Sequence, residues 1–155
     1  MAYWLFKTEP DTYSIDDLAA DGTGSWDGVR NYQARNRLRD EISAGDPVLI
    51  YHSSCAEPAV VGLARVSGEA QPDPTQFVTG SDGFDPRAST DAPRWYQVEL
   101  TFLEKFPRPL SLKTIKQNPD LADMELVTRS RLSIQKVTRQ HFMAMCQQCG
   151  ARLHH

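Results

Sequence analysis

Several short segments of this chain have the apolar pattern of a β-strand, and this pattern restricts the fold more than any other feature. The clearest is residues 94–102, RWYQVELTF. Its apolar residues fall on one face: Tyr96, Val98, Leu100 and Phe102. A period of two residues is typical of a strand with one buried face. Further segments have the composition of strands: 3–7, 47–53, 59–66 and 131–137.

Short helices are predicted between these strands. Ser14 begins the first, with Asp17 three residues later as the acidic partner of a capping box. A second is expected over residues 29–42. Ser111 caps a third that Pro119 stops, and Thr138 caps a last helix that Gly150 ends. The order of elements predicts an α+β fold around a curved or barrel-like sheet, and the absence of repeats or linkers predicts a single domain over residues 1–155.

Composition excludes several classes of protein. The 155 residues are 40% hydrophobic and 24% charged, as in a folded globular protein. The net charge of −3 argues against coating of nucleic acid by bulk electrostatics. The first ten residues do not have the pattern of a signal peptide, and no apolar run could span a bilayer. We therefore expect a cytoplasmic protein, or a nuclear one in a eukaryote, with its three cysteines reduced.

One segment, residues 25–41, reverses the charge of the chain. Residues 25–39 hold four arginines against Asp27, which gives a local charge of +3. On a helix over 29–42, Ala34, Leu38 and Ile42 form an apolar stripe. Asn31 falls within the same arc. The flanks carry the polar and basic side chains: Tyr32, Arg35 and Arg39 on one side, Arg30 and Arg37 on the other.

This segment has the parts that a nucleotide site needs. Arginines bind phosphates and stack on bases, and Trp26 and Tyr32 offer flat surfaces. A solvated basic face with Trp26 in the core is the simpler alternative. Trp95 favours the binding interpretation, because it lies on the polar face of the predicted strand 94–102.

Residues 68–93 form a long acidic segment rich in Pro, Gly, Ser and Thr, with five acids against Arg87. Long loops in compact domains tend to be functional or mobile. We expect this acidic segment to close over a site as a lid, with Phe77 and Phe84 as anchors.

Two further constellations suggest chemistry only weakly. In YHSSC, His52 and Ser53 are adjacent on a strand and so point to opposite faces, which disfavours a catalytic pair. The lone CQQC motif, Cys146 to Cys149, ends a helix near His141, His154 and His155. Because a zinc site usually needs a second ligand pair, we expect packing rather than metal or redox function.

Long motifs of the chain resemble the EVE domain, in family order over about residues 2 to 145. They are YWLFKTEPDTYSIDDL, WDGVRNYQARN, GDPVLIYHSSC, VVGLARV, the segment from Pro93 to Leu112 and RLSIQKVT. The resemblance implies a PUA-like fold, a small bent β-barrel with peripheral helices that is shared with YTH and ASCH domains. It also implies binding of DNA or RNA and reading of modified bases, with no catalytic residues, cofactor or metal.

The resemblance also indicates which residues could line a base pocket or hold the flanking backbone. The expected base-binding residues are Trp26, Gly28, Val29, Asn31, Tyr32, Arg35, Asn36, Tyr51, His52, Ser53, Ser54 and Trp95. The expected backbone contacts are Arg30, Arg39, Arg129 and Arg131. We expect a monomeric, non-catalytic nucleic-acid-binding module. A small enzyme acting on nucleic acid or a nucleotide, and a protein–protein adaptor that uses Trp95, are the alternatives.

Overall fold

The computed structural model describes residues 1–152; His154 and His155 lie outside them. The strands are β1 Tyr3–Thr8, β2 Thr23–Trp26, β3 Pro47–His52, β4 Ala59–Val66, β5 Gln71–Pro72, β6 Tyr96–Ser111 and β7 Ile134–Val137. The helices are α1 Ile15–Asp21, α2 Tyr32–Asp40, α3 Leu112–Gln117, α4 Glu125–Thr128 and α5 Arg139–Cys149, with a 3-10 turn at Pro74–Phe77. No helix in residues 1–152 is long and apolar enough to cross a membrane.

The strands form one mixed sheet in the order β2-β6-β4-β3-β1-β7, and β5 pairs with β6. Only β1 and β3 are parallel neighbours among these strands. The 16-residue β6 pairs with β4, β2 and β5, and its pairing with β4 changes register at two points. Such irregularities bend a strand. The predicted α+β class with a curved sheet is confirmed.

The sheet is buried on both faces. In β1, Trp4 and Phe6 pack into one core with Trp26, while Leu5 packs into the other with Phe142. Strand β3 follows the same alternation. A strand covered on both faces needs apolar residues at successive positions, which explains why the sequence of β3 is continuously apolar.

Most predicted helix ends are confirmed. Ser14 and Asp17 form a reciprocal capping box at α1. Ser111 caps α3, Thr138 caps α5, and Gly150 ends α5 with a left-handed backbone at φ 70°.

Three predicted boundaries are wrong for local reasons. The helix expected over 29–42 begins only at Tyr32, because the Asn31 side chain accepts a hydrogen bond from the Ala34 amide N–H and so caps the helix. The strand expected over 94–102 starts at Tyr96 and continues to Ser111, and the strand expected over 131–137 is only Ile134–Val137. The strand β2, on the edge of β6, was not predicted.

Arg37 joins three elements through a largely buried ion pair. Its guanidinium donates two hydrogen bonds to Glu125 of α4, at 2.7 and 3.0 Å, and one to the Ile134 carbonyl at the start of β7. The Lys136 amide N–H donates to the same carboxylate. Arg37, expected on a solvated flank, is thus 6% exposed and part of the core.

Replacing Arg37 by alanine should destabilise the protein strongly. The change leaves Glu125 without its partner, and breaking a buried pair from one side costs about 3 kcal/mol. Urea unfolding would measure the loss. Arg39→Ala on the same helix is the matched control, because Arg39 is exposed and pairs only with neighbours on α2. Equal stability of the two variants would contradict this role for Arg37.

Candidate nucleic-acid interface

The main candidate site is a cavity of about 440 Å³ where β1 and β2 end. We call it the Trp26 cavity. Its lining comes from three segments: Lys7, Thr8, Thr12 and Tyr13; Ser25, Trp26, Asp27, Gly28, Val29 and Arg30; Ser133 and Ile134. The volume lies in the range of small-molecule sites and can accept a single base.

Strand pairing brings these distant segments together. β1 pairs antiparallel with β7, and the Lys7 amide N–H donates to the Ser133 carbonyl at 3.0 Å. β2 ends at Trp26, and the chain then turns at Gly28 with φ 75°. A positive φ favours glycine, so this position lets the chain turn without strain on a side chain.

The cavity has an aromatic wall that is held rigidly. The Trp26 ring lies 6.0 Å from Phe6 and 5.8 Å from Tyr13, measured between ring centroids, the latter edge-to-face. Trp26 is only 7% exposed and belongs to the core. It therefore fulfils the structural role that the simpler interpretation gave it, and it also lines the cavity.

Asp73 fixes the turn behind this wall. Its carboxylate is fully buried and accepts from the Gly28 amide N–H at 2.8 Å, from Arg30 at 3.0 Å, and from the amide and hydroxyl of Thr75. Burial raises the pKa of this carboxyl, but the hydrogen bonds from Thr75, Gly28 and Arg30 outweigh burial and hold the pKa below its ordinary value.

Arg30 is committed to the protein. Besides Asp73, its guanidinium donates to the carbonyl groups of Val29 and Gly83 and to the Thr75 hydroxyl. A guanidinium has five N–H donors, so this one has little capacity left for a phosphate.

Several polar groups of the Trp26 cavity are also committed. The Lys7 ammonium donates to the Ser130 carbonyl, and burial lowers its pKa. The Thr8 hydroxyl donates to the Tyr13 carbonyl. The Tyr13 hydroxyl donates to Asp21, and burial with that hydrogen bond raises its pKa to about 12.

A second cavity of about 340 Å³ contains two of the predicted backbone contacts. We call it the Arg129 groove; it is lined by Asn31, Gln33, Arg129, Ser130, Arg131 and Leu132. Arg129 and Arg131 are exposed, and within residues 1–152 neither side chain forms a hydrogen bond or ion pair. Residues 129–132 line this groove, and residues 133 and 134 of the same segment line the Trp26 cavity, so both arginines lie on the segment that joins the two sites.

Other predicted residues of α2 form an aromatic and arginine cluster with Trp95. The Tyr32 and Trp95 rings lie 4.9 Å apart between centroids, and the Arg35 guanidinium lies 4.9 Å from the Tyr32 ring. Trp95 is buried, and its indole N–H donates to Asp85 at 2.8 Å. Asn36 accepts from Arg35, and Arg39 pairs with Asp40. None of these side chains lines the Trp26 cavity.

The predicted residues at the end of β3 also lie outside the lining. Tyr51 is buried, and Lys7 lies 5.7 Å from its ring centroid. The His52 ring nitrogen Nε2 accepts a hydrogen bond from the Ile15 amide N–H, which requires that nitrogen to be unprotonated. Burial lowers the pKa of His52 and so favours the same neutral ring. Ser53 donates its amide N–H to the Thr8 carbonyl, and Ser54 has a positive φ of 54°.

The acidic segment contacts the turn after Trp26 through Asp73 and does not line the Trp26 cavity. It contains β5, the 3-10 turn and the buried Asp73, yet contributes no lining residue to the Trp26 cavity. The expected anchor Phe84 is 39% exposed, and Phe77 is only partly buried. No contact between the acidic segment and the lining of the Trp26 cavity therefore supports the expected lid.

The CQQC cysteines pack against the core as expected. Burial raises the pKa of Cys146 to about 11 and of Cys149 to about 12, which keeps both thiols protonated. Within residues 1–152 no group of three or more ligand-type side chains is placed to hold a metal ion.

Sequence reasoning missed eight lining residues: Lys7, Thr8, Thr12, Tyr13, Ser25, Asp27, Ser133 and Ile134. Ser25 and Asp27 flank Trp26 in the segment that drew attention, so their position was a usable signal. The others come from the two ends of the chain, and only the pairing of β1 with β7 brings them together.

Replacing Asp73 by asparagine should loosen the turn and change the response to acid. The amide cannot serve the same donors, so we expect a loss of about 2 kcal/mol at pH 7. Because the pKa of Asp73 is lowered in the folded state, its stabilisation is present above the unfolded value of 3.8 and is lost as pH falls below it. Urea unfolding at several pH values should show the two proteins converging below about pH 4. A constant difference would contradict the assignment.

Comparison with known proteins identifies the family of this chain. The family model of the EVE domain matches residues 2–148. Human thymocyte nuclear protein 1 is 39% identical over 91% of this chain and 71% of its own length. A protein from Pseudomonas putida is 44% identical, with a TM-score of 0.91 over 96% of this chain and 99% of that one.

Two solved complexes extend the comparison. The human protein in complex with DNA containing 5-methylcytosine superposes with a TM-score of 0.91, at 36% identity, over 99% of this chain and 100% of that one. The YTH domain of Zygosaccharomyces rouxii MRB1, in complex with N6-methyladenosine RNA, has a TM-score of 0.55 at 14% identity, over 96% of this chain and 86% of that one. This second likeness concerns the fold alone and confirms the PUA-like architecture. The chain belongs to the EVE domain family.

Proposed function

We propose that this protein is a non-catalytic reader of modified bases that binds nucleic acid and takes one methylated base into the Trp26 cavity. The observation that carries the proposal is its superposition on the human relative in complex with 5-methylcytosine DNA, over nearly the whole of both chains. A base inside a duplex cannot reach such a cavity, so the ligand is a flipped or unpaired nucleotide.

The chemistry of the Trp26 cavity fits this ligand. A methyl group makes a base more apolar without adding charge, and it gains free energy when it is buried against an aromatic wall. Trp26, Tyr13 and Val29 offer such a surface. One buried methyl group gives a preference of about tenfold over the unmodified base.

The local charges fit a polyanion. Arg129 and Arg131 stand free beside the cavity in a chain whose net charge is −3. The protein therefore attracts phosphates locally and not over its whole surface.

The two alternatives have less support. A nucleic-acid enzyme needs a nucleophile paired with a base, but Nε2 of the His52 ring is occupied by the Ile15 amide N–H that it accepts. An adaptor that uses Trp95 needs this indole on the surface, whereas its side chain is buried against Asp85 and Tyr32. The proposal therefore also includes the absence of catalysis and a single domain that acts through occupancy or partners.

Filling the cavity should abolish base recognition. Ser25→Trp introduces an indole at a lining residue of the cavity on the edge strand β2. We expect loss of the preference for 5-methylcytosine and at least about tenfold weaker binding of the modified oligonucleotide, measured by fluorescence anisotropy. Thr23→Trp is the matched control: Thr23 is exposed on the same face of β2, two residues away, and does not line the cavity. Equal affinities of the two variants would argue against the Trp26 cavity as the base site.

Removing the free arginines should weaken binding without changing base preference. Each of Arg129→Ala and Arg131→Ala should reduce the slope of log affinity against log salt by about 0.7 with single-stranded oligonucleotides. Modified and unmodified oligonucleotides should lose affinity equally, because phosphate contacts carry no base information. Arg139→Ala, at the opposite end of the β1–β7 pair, serves as control and should leave the slope unchanged. A changed base preference would place these arginines in the base site instead.

A further inference from the structure

Among the lining residues of the Trp26 cavity, Asp27 supplies the sole carboxylate, and it is not committed to another residue. Within residues 1–152 its side chain forms no hydrogen bond with another residue; it accepts from its own backbone amide, and the charges of Asp73 and Arg30 act on it from a distance. This distinguishes Asp27 from the ammonium of Lys7 and the guanidinium of Arg30, which donate to protein groups.

The surroundings make this carboxylate receptive to a donor. Burial raises the pKa of Asp27, and repulsion by Asp73 acts in the same direction, while its own backbone amide and Arg30 oppose the rise in part. A charged group that is partly desolvated and repelled by a neighbour is stabilised when a ligand N–H donates a hydrogen bond to it.

The remaining free polar groups do not discriminate between bases in this way. The hydroxyls of Thr12, Ser25 and Ser133 can rotate to donate or accept. An ionised carboxylate only accepts. It therefore selects for an N–H donor and against an unshared carbonyl oxygen at the same place.

Resting on the proposed function, we propose that Asp27 is a specificity-determining residue that accepts a hydrogen bond from the exocyclic amino group of the bound base. The site then admits amino-bearing bases and excludes the keto pyrimidines thymine and uracil. In thymine the ring N–H lies between two carbonyl oxygens, and both oppose the approach of a carboxylate. An acidic side chain that accepts from cytosine N4 is an established mode of base recognition.

The decisive comparison is between 5-methylcytosine and thymine. Both bases carry a methyl group at C5, so the aromatic wall treats them alike, and they differ in the amino or keto group at C4. A reader that depended on the methyl group alone would bind both. One well-placed polar contact should give at least about a tenfold preference for 5-methylcytosine.

The experiment measures affinities of single-stranded oligonucleotides that carry cytosine, 5-methylcytosine, thymine or uracil at one central position. Parent, Asp27→Asn and Asp91→Asn proteins are compared. The Asp27→Asn amide can donate to the thymine carbonyl and accept its ring N–H, so we expect the ratio of affinities for 5-methylcytosine and thymine to fall to about one or to invert. Asp91 is exposed and does not line the Trp26 cavity, so Asp91→Asn removes the same charge and should keep the parental ratio.

The outcomes separate this inference from the function on which it rests. Preference for 5-methylcytosine over cytosine with equal binding of thymine would overturn the role of Asp27 and leave the reader intact. An unchanged ratio in the Asp27→Asn protein would overturn it as well. Absence of any preference for 5-methylcytosine over cytosine would overturn the reader function, whatever the ratio of affinities for 5-methylcytosine and thymine. Asp27 is only partly buried and forms no hydrogen bond with another residue of the described chain, so its replacement should leave the urea midpoint close to that of the parent, which verifies folding.

Discussion

The buried carboxylate of Asp73 is the interaction on which the shape of the site depends. It gathers the amide of Gly28, the guanidinium of Arg30 and both donors of Thr75 around one charge. A buried charge is tolerated only when its oxygens are satisfied, and here the groups that satisfy it are the turn after Trp26 and the acidic segment. The same contacts that make the charge acceptable therefore hold one wall of the Trp26 cavity in place.

This dependence explains the acidic segment. A run of acids next to a nucleic-acid site is unfavourable when only charge is counted. In the structure, however, Asp73 and Asp85 are buried, where they accept from Arg30 and from the Trp95 indole. Asp73 pairs with Arg30 and Asp85 pairs with Arg87. The exposed cations Arg129 and Arg131 line the separate Arg129 groove. The acidic side chains that stabilise the fold are thus buried, whereas the arginines that can contact a phosphate are exposed.

The sequence predicts much of the sheet and little of the cavity, for one physical reason. Alternation and capping are local, so β3, β4 and the ends of α1 and α5 could be predicted. β2 could not, because TGSW has little strand propensity and forms only against β6. The cavity combines residues from both ends of the chain, and the pairing of β1 with β7 that joins them leaves no trace in either segment alone. Likewise, the number of arginines in 25–41 did not reveal that Arg30 and Arg37 bind carboxylates inside the protein.

The arrangement divides recognition among three surfaces with different physics. The aromatic wall responds to a methyl group, but one methyl group is worth only about 1 kcal/mol and cannot distinguish bases that share it. In the proposed function, the arginines of the Arg129 groove add affinity that depends on salt and is blind to sequence. A group with a fixed hydrogen-bonding role is therefore needed to identify the base itself, and within the Trp26 cavity we infer this role for the carboxylate of Asp27. Affinity for the nucleic acid, preference for the methyl group and identity of the base then depend on different side chains. A substitution can therefore change one of these three properties and leave the other two unchanged.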